Sequence, residues 1–472
     1  MPVSPNYSPD PRHAELGEGF FDVVQAAGFP RHILRHRNQR WADRVGLGTL
    51  TPEEWIAHFG RFEPLPDNLP APLALRYHGH QFMVYNPNLG DGRGFLFAQV
   101  RDPVDGRLLD LATKGSGRTP WSRSGDGRLT LKGGVREVLA TEMLEALGVD
   151  TSKSFSLIET GEALHRQDEP SPTRASVLVR LSHSHIRIGS FQRHAHAGDK
   201  ERLQRLADYT LRTYMPHAWV EDPAARAAAL LREACVNVAK MGAGWYAAGF
   251  VHGVLNTDNV TVTGESFDYG PYRFLPAYDP MFTAAYFDHS GLYAFGQQPG
   301  ILNWNLERFA EALTFLCEEG PLVEALETFP PAFETALRSE VLRRLALKPR
   351  GFDPDGELVR NLYRFLAASG AAYERVFFDW YGGPAGAARA DASPQADKYT
   401  GTEFEAFKAT LAAYTPSDDH RPDAPYFAGA PCMLLIDEVE RIWAPIAEAD
   451  DWSLFEAKLA AIREMADAYG TA

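Results

Sequence analysis

The segment VHGVLNTDNVTVTGESFDYG, residues 251–270, places an amide and a carboxylate nine residues apart, at Asn259 and Asp268. Oxygen donors of these two kinds are the ligands that Mg²⁺ prefers. The residues between them, 260–267, are compatible with a tight hairpin that returns the second donor to the side of the first. The segment therefore predicts a site for Mg²⁺ or Mn²⁺ held by Asn259 and Asp268. The alternative is a turn-rich hairpin with an incidental aspartate.

The same segment resembles the catalytic loop of protein kinases, H-R-D-L-x-x-x-N. His252, Leu255 and Asn259 stand at the His, Leu and Asn positions, and DYG at 268–270 follows where kinases have DFG. The position of the catalytic Asp holds Val254. The loop thus keeps both metal-binding positions of a kinase but lacks its usual base.

A lysine and a glutamate occur upstream in the order that a kinase requires. Lys114 ends the apolar run LDLATKG, and Glu137 follows inside a helix predicted over 132–147. A lysine held by a glutamate can neutralise nucleotide phosphate without moving away. We therefore predict that this pair contacts ATP. The alternative is a surface lysine at a strand end and a glutamate that faces solvent.

Glycines and arginines supply further candidates for phosphate binding. GDGRG at 90–94 and GDGR at 125–128 allow backbone N–H groups to approach phosphate oxygens, although each could be a simple turn. Arg93 lies inside the first motif and can bind phosphate bidentately. Arg180 and Arg187 flank a His-rich segment that reads as strand, turn and strand. For these two arginines the alternative is exposure at the sheet edge.

The order of apolar runs indicates the fold class. GFLFAQVRD at 94–102 and GRLLDLATKG at 106–115 predict a β-hairpin, three more strands are expected between 154 and 182, and helical patterns prevail after 200. We predict an α+β, protein-kinase-like bilobal fold with a β-sheet N-lobe, a helical C-lobe and an extra helical C-terminal region. The predicted segments are 1–75, an N-terminal wrapping segment; 76–197, the N-lobe; 198–345, the C-lobe with the catalytic loop; and 346–472, the helical extension.

Bulk properties exclude several classes of protein. The chain has 472 residues and a net charge of −15, which argues against non-specific binding of nucleic acid. Its three cysteines, Cys235, Cys317 and Cys432, form no C-x-x-C pair, so neither a disulfide framework nor a structural zinc site is expected. We find no secretory signal and no apolar run of membrane-spanning length. The expected location is the cytoplasm, without membrane partners.

Five stretches together resemble the selenoprotein O family of pseudokinases over about residues 75–310: GDGRG, LATKGSGRTPWSRSGDGR, VREVLATEMLEALGV, SHIRIGSF and GFVHGVLNTDNVTVTGESFDYGPY. The resemblance implies a kinase-like fold that transfers AMP from ATP to Ser, Thr or Tyr hydroxyls of proteins, including its own, and releases pyrophosphate. It also implies that ATP is inverted relative to ordinary kinases, with the triphosphate buried and the α-phosphorus facing the acceptor.

The resemblance also assigns roles to individual residues. The ATP-binding positions are Gly90, Gly92, Arg93, Lys114, Asp126, Gly127, Glu137, Arg180, Arg187 and Asp268, and the metal ligands are Asn259 and Asp268. The arginines suit a buried triphosphate, which needs compensating positive charge. Asp258, four positions after Val254, resembles the family's proton acceptor. Asp258 could instead contact the metal ligands and orient them without binding the metal itself.

The C-terminal third departs from the family. Many members carry a selenocysteine or cysteine near the C-terminus, linked to redox control, whereas here Cys432 is the last thiol and the sequence continues to REMADAYGTA. The resemblance therefore does not extend to redox regulation. Two other functions stay open at this point: a true kinase that transfers the γ-phosphoryl group, and a catalytically silent ATP-binding pseudokinase scaffold.

Overall fold

Most strands precede residue 183 and most helices follow it in the computed structural model, which describes residues 4–167 and 169–471. The strands are β1 (Phe21–Val23), β2 (Ile33–Arg37), β3 (Leu73–Leu75), β4 (Gly79–Gln81), β5 (Val84–Asn86), β6 (Leu96–Arg101), β7 (Leu108–Lys114), β8 (Leu129–Thr130), β9 (Lys153–Leu164), β10 (Thr173–Ser182), β11 (Phe250–His252) and β12 (Tyr272–Phe274). The α-helices are α1 (Gln39–Arg44), α2 (Pro52–Phe59), α3 (Leu131–Ala146), α4 (Ile188–His196), α5 (Lys200–Tyr214), α6 (Pro223–Ala248), α7 (Gln298–Leu313), α8 (Glu319–Leu326), α9 (Phe329–Arg344), α10 (Phe352–Ser369), α11 (Tyr373–Asp379), α12 (Ala387–Asp391), α13 (Thr402–Leu411), α14 (Ile436–Ala449) and α15 (Ser453–Tyr469). The fold is therefore mixed α and β.

One antiparallel sheet organises the first part of the chain. Its strand order is β1-β3-β6-β7-β10-β9-β2, and β8 pairs with β10 beside this path. Strands β6 and β7 form the hairpin that the sequence predicts. The prediction of three strands between 154 and 182 is wrong, because residues 153–164 form the single strand β9. Gly161 has a φ of 74° within β9, a conformation that suits glycine and lets the strand bend without ending.

The two faces of the sheet are covered by different elements. On one face, Trp55 of α2 is fully buried and its ring stacks 5.1 Å from that of Phe155 in β9. On the other face, Val135 and Val138 of α3 share a buried cluster with Leu178 of β10. Helix α3 confirms the helix predicted over 132–147, and its N-cap Thr130 accepts a hydrogen bond from the N–H of Gly133 at 3.1 Å. The sheet is thus enclosed between α2 and α3.

Helix α6 leads the chain into the catalytic-loop segment. The helix ends at Gly249, whose φ of 63° gives the left-handed cap that glycine favours. Strand β11 starts at the next residue and pairs antiparallel with β12, so that Phe250 lies opposite Phe274. The hairpin predicted within 260–267 is wrong. These residues form turns, and Thr261 bridges to Arg187 instead. The pairing of β11 with β12 closes the loop.

The C-terminal helices fold back onto the sheet. Helix α15 packs against α3, and the hydroxyl of Thr471 donates to the carbonyl of Ala146 at 2.8 Å. Asp450 accepts hydrogen bonds from Arg35 of β2 at 2.9 Å and from Arg174 of β10 at 2.6 Å.

Across the described ranges, none of the helices has the length and hydropathy of a membrane span.

Strands from the first 75 residues lie in the same sheet as β6, β7, β9 and β10. The four-segment division and the bilobal, kinase-like arrangement stay predictions.

Candidate active site

A cavity of about 620 Å³ lies where loops of the sheet meet the segment 256–268. Eleven of the twelve predicted site residues line it: Gly90, Gly92, Arg93, Lys114, Asp126, Gly127, Arg180, Arg187, Asp258, Asn259 and Asp268. The twelfth, Glu137, lies behind the wall and reaches the cavity through Lys114. Residues that are up to 178 positions apart in the chain are therefore brought to one place by the fold.

Lys114 is the junction between the sheet, α3 and the DYG turn. Its side chain is buried, and its ammonium group forms ion pairs with Glu137 of α3 and, at 2.5 Å, with Oδ1 of Asp268. Because α3 packs against β10, the strand that pairs with β7, Glu137 can approach the end of β7. The structure thus contains the predicted lysine–glutamate pair. It also brings Asp268, which the sequence predicts as a metal ligand, to the same lysine.

Arg180 shares the sheet face of Lys114. In the antiparallel register Lys114 lies opposite Leu178 and Ala112 lies opposite Arg180, so both basic side chains project to the same side. Nη1 of Arg180 lies 3.4 Å from Oδ1 of Asp268. The Nε atom of Arg180 is buried and has no hydrogen-bond partner among the described residues. A buried N–H group without an acceptor is costly, so this position favours an anionic ligand.

Arg187 reaches the cavity from a helix. The predicted strand, turn and strand around 180–187 is wrong in its second half, since Arg187 is the N-cap of α4. Nη1 of Arg187 donates to Oδ1 of Asp91 at 3.0 Å, and the guanidinium lies 4.0 Å from the ring centre of Tyr77. Burial lowers the pKa of Arg187, but Tyr77 and Asp91 outweigh this effect and raise it above its ordinary value. Arg187 is therefore a buried, permanent cation.

Asp268 is held as an anion by the cations around it. Burial raises its pKa, but Lys114 and then Arg180 and Arg93 lower it more strongly, so the pKa lies well below its ordinary value. Its φ of 65° is a left-handed conformation that few non-glycine residues adopt. Residues held in such strained conformations cluster at functional sites. The carboxylate is thus ready to accept a cation.

Asp258 and Asn259 belong to one short 3₁₀ turn, Thr257–Asn259. The side-chain amide of Asn259 donates to the carbonyl of Val254 at 3.0 Å, which leaves its oxygen as the atom suited to a metal. Oδ1 of Asp258 is buried and accepts no hydrogen bond from the described residues. Burial raises the pKa of Asp258 to about 7, an effect that Arg187 partly offsets. This carboxyl can therefore change its protonation state near neutral pH.

The two glycine motifs form the rim of the cavity, where Arg93 and Asp126 are exposed and Gly90 and Gly127 are buried. A side chain at Gly92 would meet the carbonyl of Trp121 at 2.9 Å, so only glycine fits. Gly127 has a φ of 71° and lies against the backbone of Gly117. Asp126 is exposed and forms an ion pair with Arg166 at 2.8 Å. The two motifs therefore lie at the mouth of the cavity, with backbone close to the space that a ligand would occupy.

Comparison with known proteins identifies the family of this chain. Residues 4–463 match the family described as Protein adenylyltransferase SelO. The chain belongs to the SelO family. It is 44% identical over 461 residues to Protein nucleotidyltransferase YdiU of Gloeobacter violaceus, covering 94% of this chain and 93% of the relative. It is 43% identical to the protein of that name from Synechocystis, covering 95% and 96%, and 35% identical to the one from Myxococcus xanthus, covering 96% and 92%. The predicted family and the predicted class of enzyme, a nucleotidyltransferase, are confirmed.

The SelO-family cavity also contains residues that the sequence did not single out. They include Tyr77, Gln81, Asp91, Trp121, Ser122, Arg123, Arg128 and Arg166. Asp91 and Arg128 lie inside the two glycine motifs, so those motifs could have pointed to them. Arg166 comes from the loop after β9 and has no sequence signal. Altogether seven basic side chains and four aspartates line the cavity, so it attracts anions in spite of the net negative charge of the chain.

The described lining residues of this SelO-family cavity offer oxygen donors and include neither histidine nor cysteine. No cluster of three His, Cys, Asp or Glu side chains with metal-binding geometry occurs in residues 4–167 or 169–471. Asn259 and Asp268 are hard donors that fit Mg²⁺ or Mn²⁺. A metal bound by only two protein groups would complete its coordination with phosphate oxygens and water, as Mg²⁺ commonly does with nucleotides.

Proposed function

We propose that this protein transfers AMP from ATP to Ser, Thr or Tyr hydroxyls of proteins and releases pyrophosphate, with ATP inverted relative to a kinase. The observation that carries the proposal is the gradient of burial among the cations of the cavity. Lys114, Arg180 and Arg187 are buried, whereas Arg93 and Arg123 are exposed at the rim. The family description, a protein adenylyltransferase, supports the same chemistry.

The buried cations suit the triphosphate tail of ATP better than its base. Charged phosphates lose hydration in a buried site and need positive partners that remain charged. The Nε atoms of Arg180 and Arg187 are both buried without hydrogen-bond partners among the described residues. Phosphate oxygens would accept hydrogen bonds from both. With the β- and γ-phosphates in this place, Lys114 neutralises charge on the tail. The rim, with Gly90, Gly92, Asp126 and Gly127, is left for the ribose and base.

Asn259 and Asp268 would hold Mg²⁺ or Mn²⁺ next to the phosphates. Such an ion neutralises charge as it moves onto the leaving pyrophosphate. Asp268 pairs with Lys114 and Arg180, so its carboxylate is already positioned at the junction of tail and loop. The residues present therefore fit the ion.

The acceptor hydroxyl approaches the α-phosphorus from the side of Asp258. The hydroxyl oxygen forms a bond to the α-phosphorus while the bond from that phosphorus to the α–β bridging oxygen breaks. The bonding electrons leave with pyrophosphate, and the hydroxyl proton passes to Asp258. Oδ1 of Asp258 is suited to this role because it is buried and has no hydrogen-bond donor among the described residues. This arrangement explains why Val254 can stand where a kinase has its base.

The test uses ATP labelled at the α- or at the γ-phosphate, incubated with the purified protein and Mg²⁺ or Mn²⁺. We expect α-label on protein, the protein itself included, and loss of that label in Asp268→Ala. Asp418→Ala is the matched control, because Asp418 is 90% exposed and does not line the cavity. Label from the γ-phosphate would instead identify a kinase. ATP binding without transfer of either label would identify a silent scaffold.

A further inference from the structure

Strands β4 and β5 form a hairpin whose two-residue turn is unusual. The register pairs Gln81 with Val84, so Phe82 and Met83 make the turn, with φ values of 50° and 64°. Turns with two positive φ values are normally made by Asn-Gly or similar pairs, since other residues are strained there. Both side chains are more than two-fifths exposed. The ring of Phe82 lies 5.3 Å from that of buried Tyr293, but this contact does not account for the exposed Met83, so the composition of this strained turn calls for another explanation.

The hairpin is attached directly to the loop that carries Asp258. The N–H of His80 donates to the hydroxyl of Thr257 at 2.7 Å, and the N–H of Phe82 donates to Oδ1 of Asn256 at 3.2 Å. A side chain on Gly79 would meet Oδ1 of Asp258 at 2.9 Å, so β4 starts against that carboxyl. Phe82 lies three positions after Gly79, which in an extended strand is a distance of about 10 Å. The turn therefore lies a fixed, short distance from Asp258.

The turn is part of a larger apolar surface, which we call the tip patch: Phe82, Met83, Val84, Tyr286 and Phe287. The ring of Phe82 lies 6.0 Å from that of Phe287, which lies 5.1 Å from that of Tyr286. Val84 is 69% exposed and Tyr286 is 76% exposed. Exposed apolar patches of this kind mark binding surfaces. Five partly exposed side chains fall short of the roughly 800 Å² per partner that a stable dimer uses, which favours a short peptide segment over a second copy.

We propose that the tip patch selects the protein acceptor by binding an apolar side chain about three residues from the hydroxyl that receives AMP. The inference rests on the proposed function. An extended segment with its hydroxyl at Asp258 spans about 3.3 Å per residue, so a side chain three positions away reaches the tip. Aromatic and methionine side chains adapt to varied apolar partners, so the patch accepts aliphatic or aromatic residues and rejects charged ones.

The test is a double variant, Phe82→Asn with Met83→Gly, which installs the residues that this turn prefers. Wild type and variant are given α-labelled ATP and a peptide library with a central Ser, Thr or Tyr and varied flanking positions. We expect wild type to prefer an apolar residue about three positions from the hydroxyl. The variant should lose this preference and label apolar peptides about tenfold more slowly. Its affinity for ATP should equal that of wild type, and it should still unfold cooperatively, because relief of the turn strain offsets the lost ring contact between Phe82 and Tyr293.

Val104→Asn is the matched control, since Val104 is 72% exposed in the β6–β7 turn, at the opposite end of those strands from Arg93 and Lys114. If wild type and the double variant transfer AMP to apolar and polar peptides at equal rates, the inference is overturned but the proposed function is not. Labelling of proteins but of no peptide, or a dimer that the double variant converts to a monomer, would overturn the inference in the same way. Wild type that transfers no AMP to any acceptor would overturn the proposed function itself.

Discussion

Replacing Arg180 with methionine separates a ligand-binding role from a structural one. The Arg180 side chain is 6% exposed, and its one ion pair with a described residue is the 3.4 Å contact with Asp268. Asp268 keeps its 2.5 Å ion pair with Lys114 when Arg180 is removed. Methionine has a similar length and suits a buried position. The variant Arg180→Met therefore removes a cation and an unpartnered N–H group but leaves no unpaired acid behind.

The magnitude follows from these contacts. Hydrogen bonds from a charged donor to phosphate contribute about 1.5–3 kcal/mol, so the affinity for ATP should fall about 10- to 150-fold. The free energy of unfolding without ligand should be unchanged or about 1 kcal/mol higher, because an unpartnered buried charge is replaced by an apolar group. Arg187→Met is the contrast. This variant leaves the carboxylate of Asp91, which is 12% exposed, without its ion-pair partner, and should lower the free energy of unfolding by about 3 kcal/mol.

The assay is calorimetric titration of both variants with ATP and with AMP, together with urea unfolding. If Arg180 binds the β- or γ-phosphate, the loss of affinity appears for ATP and is absent for AMP. An equal loss for both nucleotides would refute the inverted placement, because it would put Arg180 beside the α-phosphate or the nucleoside. A large loss of stability in Arg180→Met would refute the account of its contacts.

Three further predictions concern the pair behind the site, a buried histidine and the N-terminal segment. Glu137→Gln keeps the size of the side chain but removes the charge that holds Lys114, so AMP transfer measured with α-labelled ATP should slow by about 100-fold, and an undiminished rate would contradict the role of the pair. His36 is buried, and burial followed by the charge of Arg463 lowers its pKa to about 4. Because this folded-state pKa lies below that of the unfolded chain, the stability that neutral His36 contributes is present above pH 6.5 and is lost as the pH falls toward 4. Urea titrations from pH 7.5 to 4.5 should therefore show His36→Leu losing about 2.5 kcal/mol less than wild type, whereas parallel profiles would exclude this histidine as a source of acid lability. Trp55→Ala should reduce the free energy of unfolding by about 3–5 kcal/mol, since Trp55 is fully buried against Phe155 and donates to Ser156 at 2.9 Å; a change below 1 kcal/mol would show that α2 packs only loosely on the sheet.

Local patterns in the sequence predicted the elements that carry the site better than the site itself. The β6–β7 hairpin and α3 follow from apolar periodicity, which is set by neighbours in the chain. Lys114 and Arg180 meet because of the strand register, which no local pattern encodes. Arg187 was expected on a strand, but the helix α4 that starts after it was hidden by its histidines and glycine. Loop residues such as Trp121 and Arg166 depend on tertiary placement and could not be predicted.

The contact between α15 and α3 bears on how the protein is made. Ala146 and Thr471, which are hydrogen-bonded to each other, are separated by 325 positions. A ribosome that adds about 5–20 residues per second needs about 16–65 s to cover that interval. For this time the surface of α3 that α15 will cover faces water or a chaperone. Helix α3, whose Glu137 holds Lys114, is therefore fully packed only late in synthesis. We expect the cavity around Lys114 to reach its final structure equally late.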